Sequence, residues 1–335
     1  MALQGCYARG ALAGDDRRGR STQPATVGRV RKAILTVVVA VALGLAGCAQ
    51  PSSAPTDPIR IGSADTAALR VMAEIYAGAL RNSGSEVAGE MTTGDDARLL
   101  DEMDHAELDL FPAFTGGLLS ELTPAYATHG VTGQPRIGSA DEVYDDVNRS
   151  LPQGVSVGDP TPVSAAPQIF VATRLAEQSG VGSLGDCSRL PTDLPVLAIT
   201  DPSPETLRAF VTAGCRLGPV RVVGDVVELL NGLAEGRAIG VLSPLAVAGL
   251  GEEADGVQAL KAPLETGPVP PIVGPRPQIL VPVFRTAALS REDVKTVNKV
   301  AGEITTADLA AMARQVDAGK NPREVAITWL GDHGL

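Results

Sequence analysis

Residues 109–117 read DLFPAFTGG. Leu108 to Phe111 is a short apolar run of strand type, Pro112 interrupts it, and Phe114 then stands beside a Thr-Gly-Gly turn. Open α/β sheets leave unpaired N–H donors where a strand gives way to a helix, and ligands settle outside those strand ends. The stretch therefore reads as such a corner, with Phe114 as a ring face and Thr115 and Gly116 as the polar turn beside it.

Outward from this corner the chain alternates strand and helix. Ile59 to Gly62 reads as a strand, Thr66 to Arg81 as a helix with Asp65 as N-cap, Val87 to Met91 as a strand, and Asp95 to Asp104 as a helix. This order predicts parallel β-α-β units. Asp159-Pro160-Thr161-Pro162 then forces extended backbone. A second α/β series follows: strands at Gln168–Thr173, Val196–Thr200, Val220–Val223 and Ile239–Leu242, with helices at Glu205–Ala213 and Asp225–Ala234. A second Pro/Gly-rich passage, Gly267 to Pro277 (GPVPPIVGPRP), precedes the apolar run Ile279 to Phe284 and helices at 291–305 and 306–315. Two proline-marked passages bracketing one series predict two lobes and a cleft. The expected division is lobe 1 from 59–158 plus 279–335, with lobe 2 and both crossovers in 159–278.

The start of the chain predicts a compartment. Arg29, Arg31 and Lys32 precede the apolar run Ala33 to Ala46, which ends in Leu45-Ala46-Gly47-Cys48. A basic region, an apolar region too short for an ordinary span and a small-residue cleavage site make an export signal over 1–47. The alternative is an uncleaved anchor. Residues 1–28 place acids ahead of the basic region and read as an upstream extension, with translation expected to start near Val27 or Val30. Residues 1–47 hold seven Lys/Arg and two acids. Their removal takes the chain from a net charge of −11 to 21 basic and 37 acidic residues, net −16. So acidic a surface argues against nucleic acid and against adhesion to anionic lipid. Residues 48–58 form a Pro/Ser-rich tether. In an exported chain Cys187 and Cys215 are an even pair; a disulfide is the economical reading, two buried thiols the other.

Enzyme signatures are scarce. His105, His129 and His333 show no metal-ligand spacing, and G-x-S-x-G, Walker A and G-x-G-x-x-G motifs are absent. No metal or cofactor is expected. Small polar residues recur instead where strands end: Ser63 and Asp65 after the first strand, Thr115 and Gly116 after the third, Ser203 and Glu205 at a helix start, and Ser243 after Ile239–Leu242. Each cluster alone is a capping signal, and together they predict one polar site.

The stretches IGSADTAALRVMAEIYAGALRNSG and LDLFPAFTGGLLSEL resemble the solute-binding proteins of quaternary-amine ABC importers, the glycine betaine, carnitine and choline type. The likeness continues through LPQGVSVGDPTP, VATRLAEQSGVGSLGDC, VPVFR and TTADLAAMARQVDAGKNPREVAITWL, covering 57–335 in order. It implies an α/β type II periplasmic-binding-protein fold: two lobes, two crossover segments and a central cleft that delivers a solute to a permease, with no catalysis. Leu-Ala-Gly-Cys also resembles a bacterial lipobox, which implies a lipid on Cys48 that holds the protein on the outer face of the cell membrane; a monomer is expected.

The resemblance implies an aromatic cage for a cation, attracted by ring faces. Phe114 keeps one position, whereas Pro167, Leu242 and Gln278 stand at the other three; Ala64 and Gly117 replace the Lys and Thr that would hold a carboxylate. Arg208 stands for the family's second-lobe arginine or is a solvated helix residue. The implied ligand is then an osmoprotectant-like or related polar solute, neutral and hydroxylated or aromatic, with Ser63, Asp65, Thr115, Ser203, Ser243 and Gln278 hydrogen-bonding and Phe114 stacking. The alternatives are a periplasmic enzyme on the same fold and a surface lipoprotein with an empty cleft.

Overall fold

The first sheet is held by residues far apart in the chain. It grows around β3 (Leu110–Phe114), which pairs antiparallel with β10 (Leu280–Arg285). The structure is a computed structural model and describes residues 57–123, 139–262 and 274–335. The export signal, Cys48, residues 49–56 of the tether, His129 and the first part of the second Pro/Gly-rich passage lie outside these residues.

Strand β3 runs straight through Pro112, past the stop expected at Phe111. In register, Pro112 faces Pro282 of β10. Neither residue has an N–H to give, so the two fit a non-hydrogen-bonded pair of the antiparallel ladder, where no bond between them is required. On the far side of β3, Ile61 bridges to Leu110 in parallel, joining it to β1 (Gly62–Ser63) and β2 (Thr92–Thr93). On the far side of β10 lies β4 (Val155–Val157), antiparallel. The order is β2-β1-β3-β10-β4: the expected β-α-β units are parallel, and the returning strand β10 pairs antiparallel and makes the sheet mixed. The strand expected at 87–91 is one bridge at Val87, and β2 begins only at Thr92, after the bend at Gly89 and Glu90.

Helix α1 (Ala67–Asn82) supplies the largest apolar face. Eleven of its residues are buried, against α9 (Arg291–Glu303), α10 (Thr306–Asp317) and α11 (Pro322–His333). Gly78 lets α11 approach, since a Cβ there would lie 2.3 Å from Leu330 Cδ1. The cap of α1 is Thr66, whose side chain accepts from Leu69 N, and not Asp65 as expected; Asp65 is exposed and 3.8 Å from Arg70 Nη1. Helices α2 (Asp96–Asp104, capped by Asp95), α3 (Thr115–Leu122) and α4 (Ala140–Ser150) cover the other face. Asp109, 4% exposed, accepts from Arg60 N at 2.9 Å, from Arg60 Nε and Nη2 at 3.0 and 3.1 Å, and from Arg285 Nη1 at 2.8 Å. It ties the approach to β1, the start of β3 and the end of β10.

The second sheet repeats the plan, in the order β7-β6-β8-β5-β9. Its strands are β5 (Gln168–Ala172), β6 (Val196–Ala198), β7 (Val220–Val222), β8 (Ile239–Leu242) and β9 (Val257–Ala259). β6, β7 and β8 are mutually parallel, and β5 runs against β8 and β9. The helices are α5 (Thr173–Ser179), α6 (Pro204–Thr212), α7 (Val226–Ala234) and the one-turn α8 (Pro244–Val247). A disulfide joins Cys187, on a 3-10 turn, to Cys215 just past α6. The core clusters around this sheet draw only on residues 169–260.

The chain crosses between sheets twice, and the crossovers pair with each other. Ser164 bridges Ile279 antiparallel; Thr161 N donates to Leu280 O at 3.0 Å, Leu280 N to Val163 O at 3.1 Å, and Ala165 N to Gln278 O at 2.9 Å. Proline-enforced extended backbone in both passages makes this two-stranded link.

Candidate functional site

The N-terminal turn of α3 is built by the DLFPAFTGG corner and locked by the second crossover. Thr115 N donates to Ile279 O at 2.9 Å, Thr115 Oγ1 accepts from Ile279 N at 3.1 Å, and Gly117 N donates to Gln278 Oε1 at 3.0 Å. Gly116 must be glycine, because a Cβ would fall 2.5 Å from Pro277 O. Phe114 is half-buried and packs on the first core.

Arg276, between Pro275 and Pro277, reaches from this corner to the other lobe. Its Nη1 donates to Ser120 Oγ at 2.7 Å and Gly116 O at 3.3 Å on α3, and its Nη2 lies 3.0 Å from Glu205 Oε1 at the start of α6. The Arg276 side chain is 24% exposed and that of Glu205 49%. Elsewhere Arg314 on α10 donates to Ala248 O at 2.8 Å and Gly249 O at 3.3 Å, a second tie between lobes.

Of the residues expected in the site, Gly116 and Glu205 are joined through Arg276, while Thr115 and Gln278 lock the same turn by bonds to Ile279 and from Gly117. Ser63 is fully buried and its Oγ donates to Ala64 O at 2.9 Å. Ser203 and Ser243 cap α6 and α8, each accepting a backbone N–H at 3.1 Å. Asp65 and Arg208 are exposed, Arg208 with no partner among the described residues. Arg276 and Ser120 were not singled out by sequence. The available signal was a lone cation between two prolines in an otherwise uncharged stretch from 267 to 284.

Asp96 adds charge beside the same corner, since its Oδ2 would lie 3.6 Å from a Cβ on Gly117. Burial, then the neighbouring Glu121 and Asp95, push its carboxyl up to about 6. Glu252 and Glu253 are exposed on a 3-10 turn, and His105 and His333 each bond a backbone carbonyl of their own helix at 2.8 Å. No group of His, Cys, Asp and Glu among the described residues is arranged to hold a metal. None of their helices is long and apolar enough to cross a membrane.

Two lobes with matching strand order, joined by paired crossovers, define the fold, and comparison with known proteins shows what it is similar to. Residues 57–203 match the substrate-binding domain of ABC-type glycine betaine transport systems. This is a family of substrate-binding proteins, not of enzymes. The match ends before Glu205, Arg208, Ser243 and Gln278. No curated protein sequence matches the chain. Apo YehZ from Escherichia coli superposes with a TM-score of 0.60 at 20% identity, covering 83% of this chain and 99% of that one. A glycine betaine/carnitine/choline ABC transporter structure gives a TM-score of 0.62 at 14% identity, covering 82% and 98%. The fold is that of the type II periplasmic binding proteins.

Proposed function

We propose that the protein is an extracytoplasmic solute receptor of an ABC importer, closing its lobes on a small polar solute and delivering it to permease subunits. The observation that carries this reading is the family match over 57–203 on a two-lobed fold whose crossovers meet at the α3 corner. The receptor acts as a monomer, and a lipid on Cys48 with the following tether holds it at the outer face of the membrane; the Leu-Ala-Gly-Cys sequence supports this.

The solute carries no quaternary ammonium head. Among the described residues Phe114 is the one aromatic side chain at the carboxyl end of a strand; the other described Phe, Tyr and Trp side chains are buried in cores or, for Tyr144, hydrogen-bonded to Gly158 O from α4. A cage needs several ring faces. Hydrogen-bonding groups at the ends of the strands and one ring suit a neutral, hydroxylated or aromatic compound instead. Native mass spectrometry of the protein purified from its own host should show a retained small molecule of that class. Calorimetric binding of glycine betaine or choline in the micromolar range would overturn the solute assignment while leaving the receptor reading intact.

A further inference from the structure

The geometry points to Arg276 and Glu205 as specificity determinants of the cleft: they neutralise each other across the lobes, so an uncharged solute leaves the closing ion pair intact and a charged one must break it. The guanidinium is fixed to the first lobe by neutral acceptors, Ser120 Oγ at 2.7 Å and Gly116 O at 3.3 Å. Among the described residues its charge is met by Glu205, whose carboxylate belongs to the second lobe. Pro275 and Pro277 restrict the backbone on either side of the arginine, so it is presented rather than free to follow Glu205.

When the lobes part, Glu205 leaves with α6 and Arg276 stays with α3. Closing restores the pair. Glu205 sits in the first turn of α6, whose N-terminal N–H groups already favour a negative charge. The carboxylate thus lies between a guanidinium and a helix N-terminus, the position in which a solute carboxylate would otherwise be held. An anionic solute has to displace Glu205, and a cationic one has to compete with Arg276 for it. Each loses the pair as it binds, whereas a neutral solute keeps it.

This inference rests on the solute-binding reading for what the pair selects, but not for the pair's effect on closure, which is measured without solute. Spin labels are placed by a non-cysteine chemistry at exposed Thr212 on α6 and Glu303 on α9, leaving the disulfide untouched. Interlobe distances are then recorded for the ligand-free wild type, Arg276→Ala, Glu205→Ala and the double variant. Each single variant should lower the closed-to-open ratio by about fivefold, the upper end for a partly exposed pair, and the double variant should fall no further than either single one. Sodium acetate, against chloride at equal ionic strength, should restore the closed distance in Glu205→Ala but not in Arg276→Ala, and should leave the wild type unmoved. Matching melting curves show that the variants fold. Wild-type distances in both single variants would overturn the closing role. Acetate acting alike on wild type and Glu205→Ala would overturn the selection of uncharged solutes. A failure to find any retained solute, by contrast, would count against the receptor reading and leave the ligand-free arm standing.

Discussion

The two lobes share one strand order but are stabilised by different means. In the first, α1 packs eleven buried residues against three C-terminal helices, and the buried Asp109 clasps two arginines beneath the sheet. In the second, the core clusters around the sheet hold fewer buried residues, Val211, Val222 and Val227 are exposed, and a disulfide closes a 28-residue separation. A smaller core buries less apolar surface against the same entropy cost per residue, which makes a covalent staple more valuable there. The same topology is therefore reached by packing and a buried ion cluster in one lobe and by cross-linking in the other.

This contrast is broken most severely in the first lobe by Asp109→Ala. Arg285, 20% exposed, would lose its carboxylate, as would the three Arg60 donors, and removing one partner of a buried pair costs about 3–5 kcal/mol. The denaturant midpoint should fall accordingly, with fluorescence of the single tryptophan, Trp329 in the first core, following it. Reducing the Cys187–Cys215 bond tests the second lobe. Loop-closure entropy for that separation is worth roughly 3.5 kcal/mol. Far-UV circular dichroism should then begin to change before Trp329 does, and coincident transitions would show that the lobes do not differ in this way.

A smaller effect is expected from Asp96. Its folded carboxyl titrates at about 6, above the ordinary range, so the folded state holds the proton more tightly than the unfolded chain. Its contribution therefore falls as pH rises from about 4 to about 6 and stays reduced above that. Asp96→Asn should raise stability by about 1–3 kcal/mol at pH 7.5 and leave it unchanged at pH 3.5, read from melting midpoints at both values. The smallest change is Tyr76→Phe. The Tyr76 hydroxyl is buried without a partner among the described residues, so its removal should gain about 1 kcal/mol with the fold intact.

Much of this architecture was legible in the chain. Alternating apolar runs located β5, β8 and most helices, and Ser203, Asp225 and Asp95 mark helix starts because their short side chains accept the first free N–H groups. Cysteine count favoured a bond between Cys187 and Cys215 over two buried thiols, and the structure joins them. Less visible were the strand running through Pro112 and the antiparallel members of each sheet. A proline is penalised for the bond it cannot make, and only the facing Pro282 shows that none is needed there.

Sequence by itself determined the class of fold, the two proline-marked crossovers and the α3 corner, since periodicity, backbone restriction and capping act within a few residues of one another. Tertiary structure alone decided that Arg276, 71 positions from Glu205 in sequence, should meet it across the lobes while anchored to Ser120. It likewise decided that Asp109 should bind Arg60 and Arg285 at once. Charges placed far apart along a chain carry no local signal of pairing; their partners are fixed by how the sheets and crossovers bring the backbone together.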